Sequence, residues 1–88
     1  MLIEVAYFAQ AAVATGVQRE RLEADDLTGL LAAITHRHGD AVVDLICDKD
    51  GALVPWVLMD INGTLVRELD HPISEGDRVR FISPISGG

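Results

Sequence analysis

Gly87 and Gly88, at the end of the sequence, are the residues whose type and position bear most directly on chemistry. They leave a carboxylate with no side chain beside it, on a backbone free to adopt conformations closed to other residues. Such a tail can enter a narrow crevice and present its carboxylate to a partner's active site. The competing reading is a frayed end, because chain termini are commonly poorly ordered. Extended, the segment Pro84, Ile85, Ser86, Gly87, Gly88 spans at most roughly 16–18 Å. That reach takes the end into a pocket while the body stays outside. Pro84 fixes one φ and stiffens the base of the tail. Ile85 either anchors in an apolar groove or folds back on its own sheet.

Other residue types give no catalytic set in the acid–base sense. His36 and His38 lie two apart, so on a helix they face different sides, and interaction with the helix C-terminal dipole suits them better than a metal. No metal site is expected. Cys47 is the only cysteine, which excludes an internal disulfide and an iron–sulfur cluster. It reads as packing rather than as a redox group. His71 shapes the turn before Pro72. Trp56 reads as a core residue.

A chain of 88 residues makes one domain with one core and no deep cavity. Hydrophobic residues make up 49%, enough to fold rather than stay disordered. Aromatics are few, so Leu, Ile, Val and Ala must fill the core. Fourteen acids against seven bases give a net charge of -7, which argues against nucleic acid and against an anionic membrane. The same charge suits a partner with a basic docking face, or plain solubility. A single cysteine, no signal peptide and no bilayer-spanning run point to the cytoplasm.

The elements that must position the tail follow from periodicity. Ile3, Val5 and Tyr7 alternate in a strand over Leu2 to Phe8, apolar on both faces and therefore central. Gln10 to Gly16 is small and turn-like. Val17 to Leu22 suits a solvent-facing second strand of a hairpin. Asp25 and Asp26 offer helix N-caps, and Leu27, Leu30, Leu31 and Ile34 follow at helical spacing. Gly39 stops that helix, which runs from Leu27 to His38 and is the only long one. Gly29 within it costs about 1 kcal/mol against Ala and makes room for close packing on the sheet. Asp40 to Cys47 is either a helical turn or a short strand.

Asp48 to Gly51 is a turn, and Trp56 to Ile61 a strand. Asn62-Gly63 is a two-residue hairpin signal, with the return strand at Thr64 to Val66. His71 to Ser74 forms a loop or 3₁₀ turn, Glu75-Gly76-Asp77 a tight turn, and Arg78 to Ser83 the last strand. One helix between two hairpins must cover one face of a mixed sheet. The fold class is therefore α+β, a β-grasp over residues 1–83, with 84–88 as a flexible tail just past a central strand.

His71-Pro72-Ile73, Glu75-Gly76-Asp77-Arg78-Val79, Phe81, Ser83-Pro84, Ile85 and Gly87-Gly88 together resemble the small sulfur carriers of the MoaD/ThiS type. Tyr7-Phe8-Ala9-Gln10 resembles the first strand of the small subunits of molybdopterin synthase, the nearest branch. The stretch from Asp40 to Pro55 is longer than in the shortest members, and Phe81-Ile82-Ser83-Pro84 keeps one aromatic and one proline where two of each are usual.

The resemblance implies a ubiquitin-like fold and a non-catalytic sulfur donor. Gly88 would be adenylated by a ubiquitin-activating-type enzyme, which uses the ATP, and then converted to a thiocarboxylate. No cofactor would be bound by the carrier. Gly87, Ser86, Ile85 and Pro84 would enter the active site of a large catalytic subunit holding cyclic pyranopterin monophosphate. Adenylation makes chemical sense, since a bare carboxylate is a poor electrophile and AMP is a good leaving group. Carriers for thiamine or cysteine synthesis share the Gly-Gly end, and so do ubiquitin-like protein modifiers. A plain interaction module is the remaining alternative. Phe8, Leu58 and Phe81 would form an apolar docking patch if they lie away from the helix, and core if they do not.

Overall fold

The computed structural model describes residues 1–83. The chain runs β1 (Leu2–Ala9), α1 (Gln10–Thr15), β2 (Arg19–Glu23), α2 (Leu27–His38), α3 (Asp40–Asp44), β3 (Leu58–Ile61), β4 (Thr64–Leu65) and β5 (Arg78–Ser83). The strands form one sheet in the order β2-β1-β5-β3-β4. β1 and β5 are parallel, and every other pairing is antiparallel. This is the mixed sheet of a β-grasp, with α2 laid across one face.

Period-two alternation decides which side chains meet that helix. Ile3, Val5 and Tyr7 of β1, Val79 and Phe81 of β5, and Met59 and Ile61 of β3 all point into the core with Leu27, Leu30, Leu31 and Ile34 of α2. Asp26 caps α2 through Oδ1, which accepts from Gly29 N at 2.7 Å. Gly29 makes room for that cap rather than for the sheet. A Cβ there would stand 3.1 Å from the Asp26 carboxylate.

Three expectations change, and the open reading of Asp40 to Cys47 resolves to a helix at its start. Gln10–Thr15 is a short helix, entered through a sharp reversal at Ala9 (φ 56°) and closed by Gly16 in the left-handed region. Asp40 to Cys47 divides into α3 and a single bridge from Cys47 to Leu53, which closes the turn around Asp48. β3 starts at Leu58, because Val54 to Val57 forms a turn instead of extending the strand. The hairpin return β4 ends at Leu65. The hairpin itself forms as the residues require, with Asn62 (φ 52°) and Gly63 (φ 91°) both at positive φ.

Asn62 also ties this hairpin to the turn before β5. Its Nδ2 donates to Asp77 Oδ1 at 2.9 Å, and its Oδ1 accepts from Arg78 N at 3.0 Å. Asp77 Oδ2 accepts from Ser74 N at 2.8 Å. These bonds, that from Asn62 first, hold the Asp77 carboxyl below its ordinary value of 3.8. Ionised Asp77 therefore stabilises the fold fully above that value, and the contribution fades as pH falls through the lower native one. Urea midpoints measured from about pH 5 down to about pH 2 should fall, and Asp77→Asn should flatten that part of the profile. Phe81 is fully buried, so Phe81→Ala should cost about 3–5 kcal/mol in denaturant unfolding.

Candidate functional site: the tail root and the open face of the sheet

β5 ends at Ser83, the residue from which the tail departs. Its buried Oγ accepts a hydrogen bond from Ala11 N at 2.8 Å. Ala11 lies in the first turn of α1, where a helix leaves backbone N–H groups without an internal partner. The reversal at Ala9 brings that N–H onto Ser83, which pairs with Ala9 across the sheet. The root of the tail is thus locked to a second element. Pro84, Ile85, Ser86, Gly87 and Gly88 lie outside the described residues.

The face of the sheet turned away from α2 is built in rows. Phe8 pairs with Ile82, and Ile82 with Leu58, giving an apolar row one residue before the tail root. Phe8 is 42% exposed and Leu58 45%. The next row is Arg19, Ala6, Arg80, Asp60 and Leu65. Arg80 Nε donates to both carboxylate oxygens of Asp60, at 2.8 and 2.9 Å, and its terminal nitrogen adds a third bond to Oδ2. Asp60 is nearly buried, so this partner is what makes its charge tolerable there. The pair raises the Arg80 pKa, first through the hydrogen bonds and then through the charge itself. Held this way, the guanidinium carbon lies 5.8 Å from the centre of the Phe8 ring. Beside Phe8 a shallow cleft opens between β1, α1 and β2, lined by Ala6, Ala9, Ala12, Gln18 and Arg19.

Arg19, Arg21, Arg78 and Arg80 all fall on this face, beside Glu4, Glu23 and Asp60. Four of the seven bases thus share it with three of the fourteen acids. The acidic surplus lies on the rest of the molecule. The net charge of -7 therefore does not describe the face beside the tail, and the expected match to a basic partner surface does not hold there.

Behind the sheet, Glu20 is buried among three partners. Tyr7 donates its hydroxyl to Glu20 Oε2 at 2.6 Å, and His38 Nε2 lies 2.7 Å from the same oxygen. Arg37 Nε stands 2.7 Å from Oε1 in an ion pair. Burial, and then the Glu20 hydrogen bond, push the Tyr7 hydroxyl pKa well up, so it stays protonated and donates. His38 thus joins α2 to β2, a role its place in the last helical turn did not reveal. Sequence reasoning missed Glu20, Asp60, Arg80 and Ser83. The signal for Asp60 and Arg80 was opposite charges at mid-strand positions of two apolar strands.

Two readings of single residues are corrected. Phe81 belongs to the core, not to a docking patch, because it shares its face with Val79 and Ser83 and stacks on Tyr7 at 6.5 Å. Trp56 is not core but 63% exposed, because the turn at Val54 to Val57 swings it out. Cys47 is buried, and desolvation, then the nearby Asp48 charge, raise its thiol pKa, which keeps it unreactive. His71 is exposed in the loop before β5. Among the described residues no three His, Cys, Asp or Glu side chains gather to hold a metal, and no helix is long and apolar enough to cross a membrane.

The ThiS family model matches residues 5–88, nearly the whole chain. The chain belongs to the ThiS family. It is 33% identical over 87 residues to the molybdopterin synthase sulfur carrier subunit of Escherichia coli, covering 99% of this chain and 100% of that protein. Among solved structures, SAMP1 from Haloferax volcanii superimposes with a TM-score of 0.85 at 25% identity, covering all of both chains. A structure described as a complex of subunits 1 and 2 of the molybdopterin-converting factor of Helicobacter pylori matches at a TM-score of 0.65 and 23% identity, again over all of both chains. That last likeness speaks for the fold alone. In this ThiS-family chain the Ser83 lock is the testable part of the tail root. Ser83→Ala strands a buried N–H and should cost about 1–3 kcal/mol by denaturant unfolding, with faster hydrogen exchange at Ala11.

Proposed function

We propose that this chain is the sulfur carrier of a molybdopterin synthase. The observation that carries the reading is the 33% identity to the Escherichia coli carrier subunit over the whole of that protein. The Gly88 carboxylate attacks the α-phosphorus of ATP on an activating enzyme, and pyrophosphate leaves. A sulfide equivalent from a sulfur donor then attacks the acyl carbon. AMP departs with the bonding pair, leaving a thiocarboxylate. The large subunit takes up the tail and passes the sulfur to cyclic pyranopterin monophosphate, and water restores the carboxylate. The carrier supplies no general base in this scheme. Its part is to deliver an unshielded acyl carbon on a narrow tail from a fixed root, and the open face beside that root is where partners dock.

The likeness to SAMP1, a small archaeal modifier protein by name, favours a second reading in which activated Gly88 is joined to lysines of other proteins. Lys49 is the only lysine of the chain itself, so self-linked ladders through side chains would have to vanish in Lys49→Arg. The deciding experiment incubates the full chain with ATP, an activating enzyme and a sulfur donor, followed by intact mass. Exchange of one oxygen for sulfur is the expected outcome; ladders on target lysines without that exchange would favour the modifier. Gly88→Ala should slow the exchange on the order of 10²-fold, since a methyl beside the acyl carbon misplaces the reacting atom.

A further inference from the structure

The two edges of the sheet differ. β4 is two residues long, and so short an edge strand gives another chain little to pair with. β2, at the other edge, runs for five residues in regular register with β1, without proline, lysine or bulge. Its one inward-pointing charge, Glu20, is met by Tyr7, Arg37 and His38, so it does not bar a neighbour. The hydrogen-bond phase fixes which groups this edge leaves open. Tyr7 N donates to Gln18 O at one end of the ladder, and Ala24 N to Met1 O at the other, both at 2.9 Å. Between them Glu20 and Leu22 bond inward to β1, so Arg19, Arg21 and Glu23 turn their N–H and C=O groups outward.

Charge along the edge then selects an occupant. Arg19, Arg21 and Glu23 are exposed, and among the described residues neither arginine is in an ion pair. Glu23 Oε1 and Asp25 Oδ1, just past the strand, meet only the Met1 ammonium, at 3.1 and 3.7 Å. A second copy related by a two-fold axis adds antiparallel, with outward residues facing outward residues. Centred on Glu20, that pairing opposes Arg19 and Arg21. Centred on Arg21 or on Glu23, it sets that residue against itself. Centred on Leu22, it sets Arg21 against Glu23, Glu23 against Arg21 and Arg19 against Asp25, opposite charges at every place. Leu22 then meets Leu22 on the axis, and Glu20 meets Ala24.

From this phase and charge pattern we infer that β2 is a self-association edge, on which two copies of the chain join their sheets around Leu22. Arg21 N donates to the Glu23 carbonyl of the second copy and Glu23 N of the second copy to the Arg21 carbonyl, and the axis repeats both bonds. The contact is two short strands, well below the area of a stable dimer, so association is weak and shows at high concentration. Leu22 is already buried in the single chain, so main-chain bonds and charge, rather than apolar burial, hold the copies together. β1 separates β2 from β5, about 10 Å across the sheet. The tail root at Ser83 thus stays clear of the contact, and the pairing is independent of what the tail carries.

Sedimentation equilibrium of the full chain from about 10 μM to about 1 mM tests this, beside amide hydrogen exchange over the same range. The average mass should rise from one chain toward two. Exchange at the Arg21 and Glu23 amides should slow in step, because those N–H groups become bonded between copies. Arg21→Glu replaces two opposed charge pairs by like charges and should weaken association about 10-fold or more. Arg21→Glu combined with Glu23→Arg in one chain should restore it, because the axis exchanges the two positions. Both residues are exposed, so neither variant should unfold the chain. A parent that stays monomeric through the range overturns the inference. A dimer that Arg21→Glu leaves intact also overturns it, in favour of another surface such as the row of Phe8 and Leu58. Loss in the single variant without recovery in the double one overturns the pairing around Leu22.

Discussion

Six residue pairs, from Glu4↔Arg78 to Ala9↔Ser83, hold β1 and β5 side by side in parallel, and the rest of the molecule depends on that register. Parallel neighbours need a long crossover, so α1, β2, α2, α3 and the β3–β4 hairpin all lie between them in the chain. The pairing joins β1 to β5, the central strand of the sheet. It sets Val5 beside Val79 and Tyr7 beside Phe81 on the core face, and Phe8 beside Ile82 on the other. A slip of one residue would turn Phe81 out and Ile82 in. The same register brings the root of the tail to the reversal at Ala9, where α1 can secure it.

Two buried carboxylates then stiffen the frame. Asp60 lies nearly buried under Arg80 on the open face, and Glu20 lies under Tyr7, Arg37 and His38 on the other side. A buried charge of this kind is weak evidence for stability, because the cost of removing it from water offsets much of its attraction. Its effect is on geometry. Arg80 is pinned beside the Phe8 ring, and the end of α2 is pinned to β2. The face beside the tail is thus presented as a fixed pattern of apolar rows between arginines.

A carrier of this kind asks little chemistry of its own side chains. In the function proposed above, its part is to hold a narrow end at a defined place and offer partners a surface that orients it. The one thiol is buried and unreactive, and the histidine nearest the core serves as a structural tie. The acidic surplus lies away from the open face, so most of the net charge sits apart from the face beside the tail root.

How much of this was legible in the chain depends on the range of the physics involved. The sequence by itself determined the local elements whose causes lie within a few residues. Asp26 and Gly39 bound a helix with Leu27, Leu30, Leu31 and Ile34 on one face, Asn62-Gly63 makes a hairpin, and alternation marks β1 and β5. Their order was enough for a β-grasp and, with the last residues, for the family resemblance. Only the tertiary structure decided which face of each strand meets α2, because alternation defines two faces and does not say which one a distant helix will cover. That choice put Phe81 inside and left Phe8 and Leu58 outside. It also put Trp56 at the surface, through a turn braced by an arginine eleven positions on, and it paired Asp60 with Arg80 and Glu20 with His38. Those contacts join residues far apart in the chain, and they exist only once the parallel pairing has brought the strands into register.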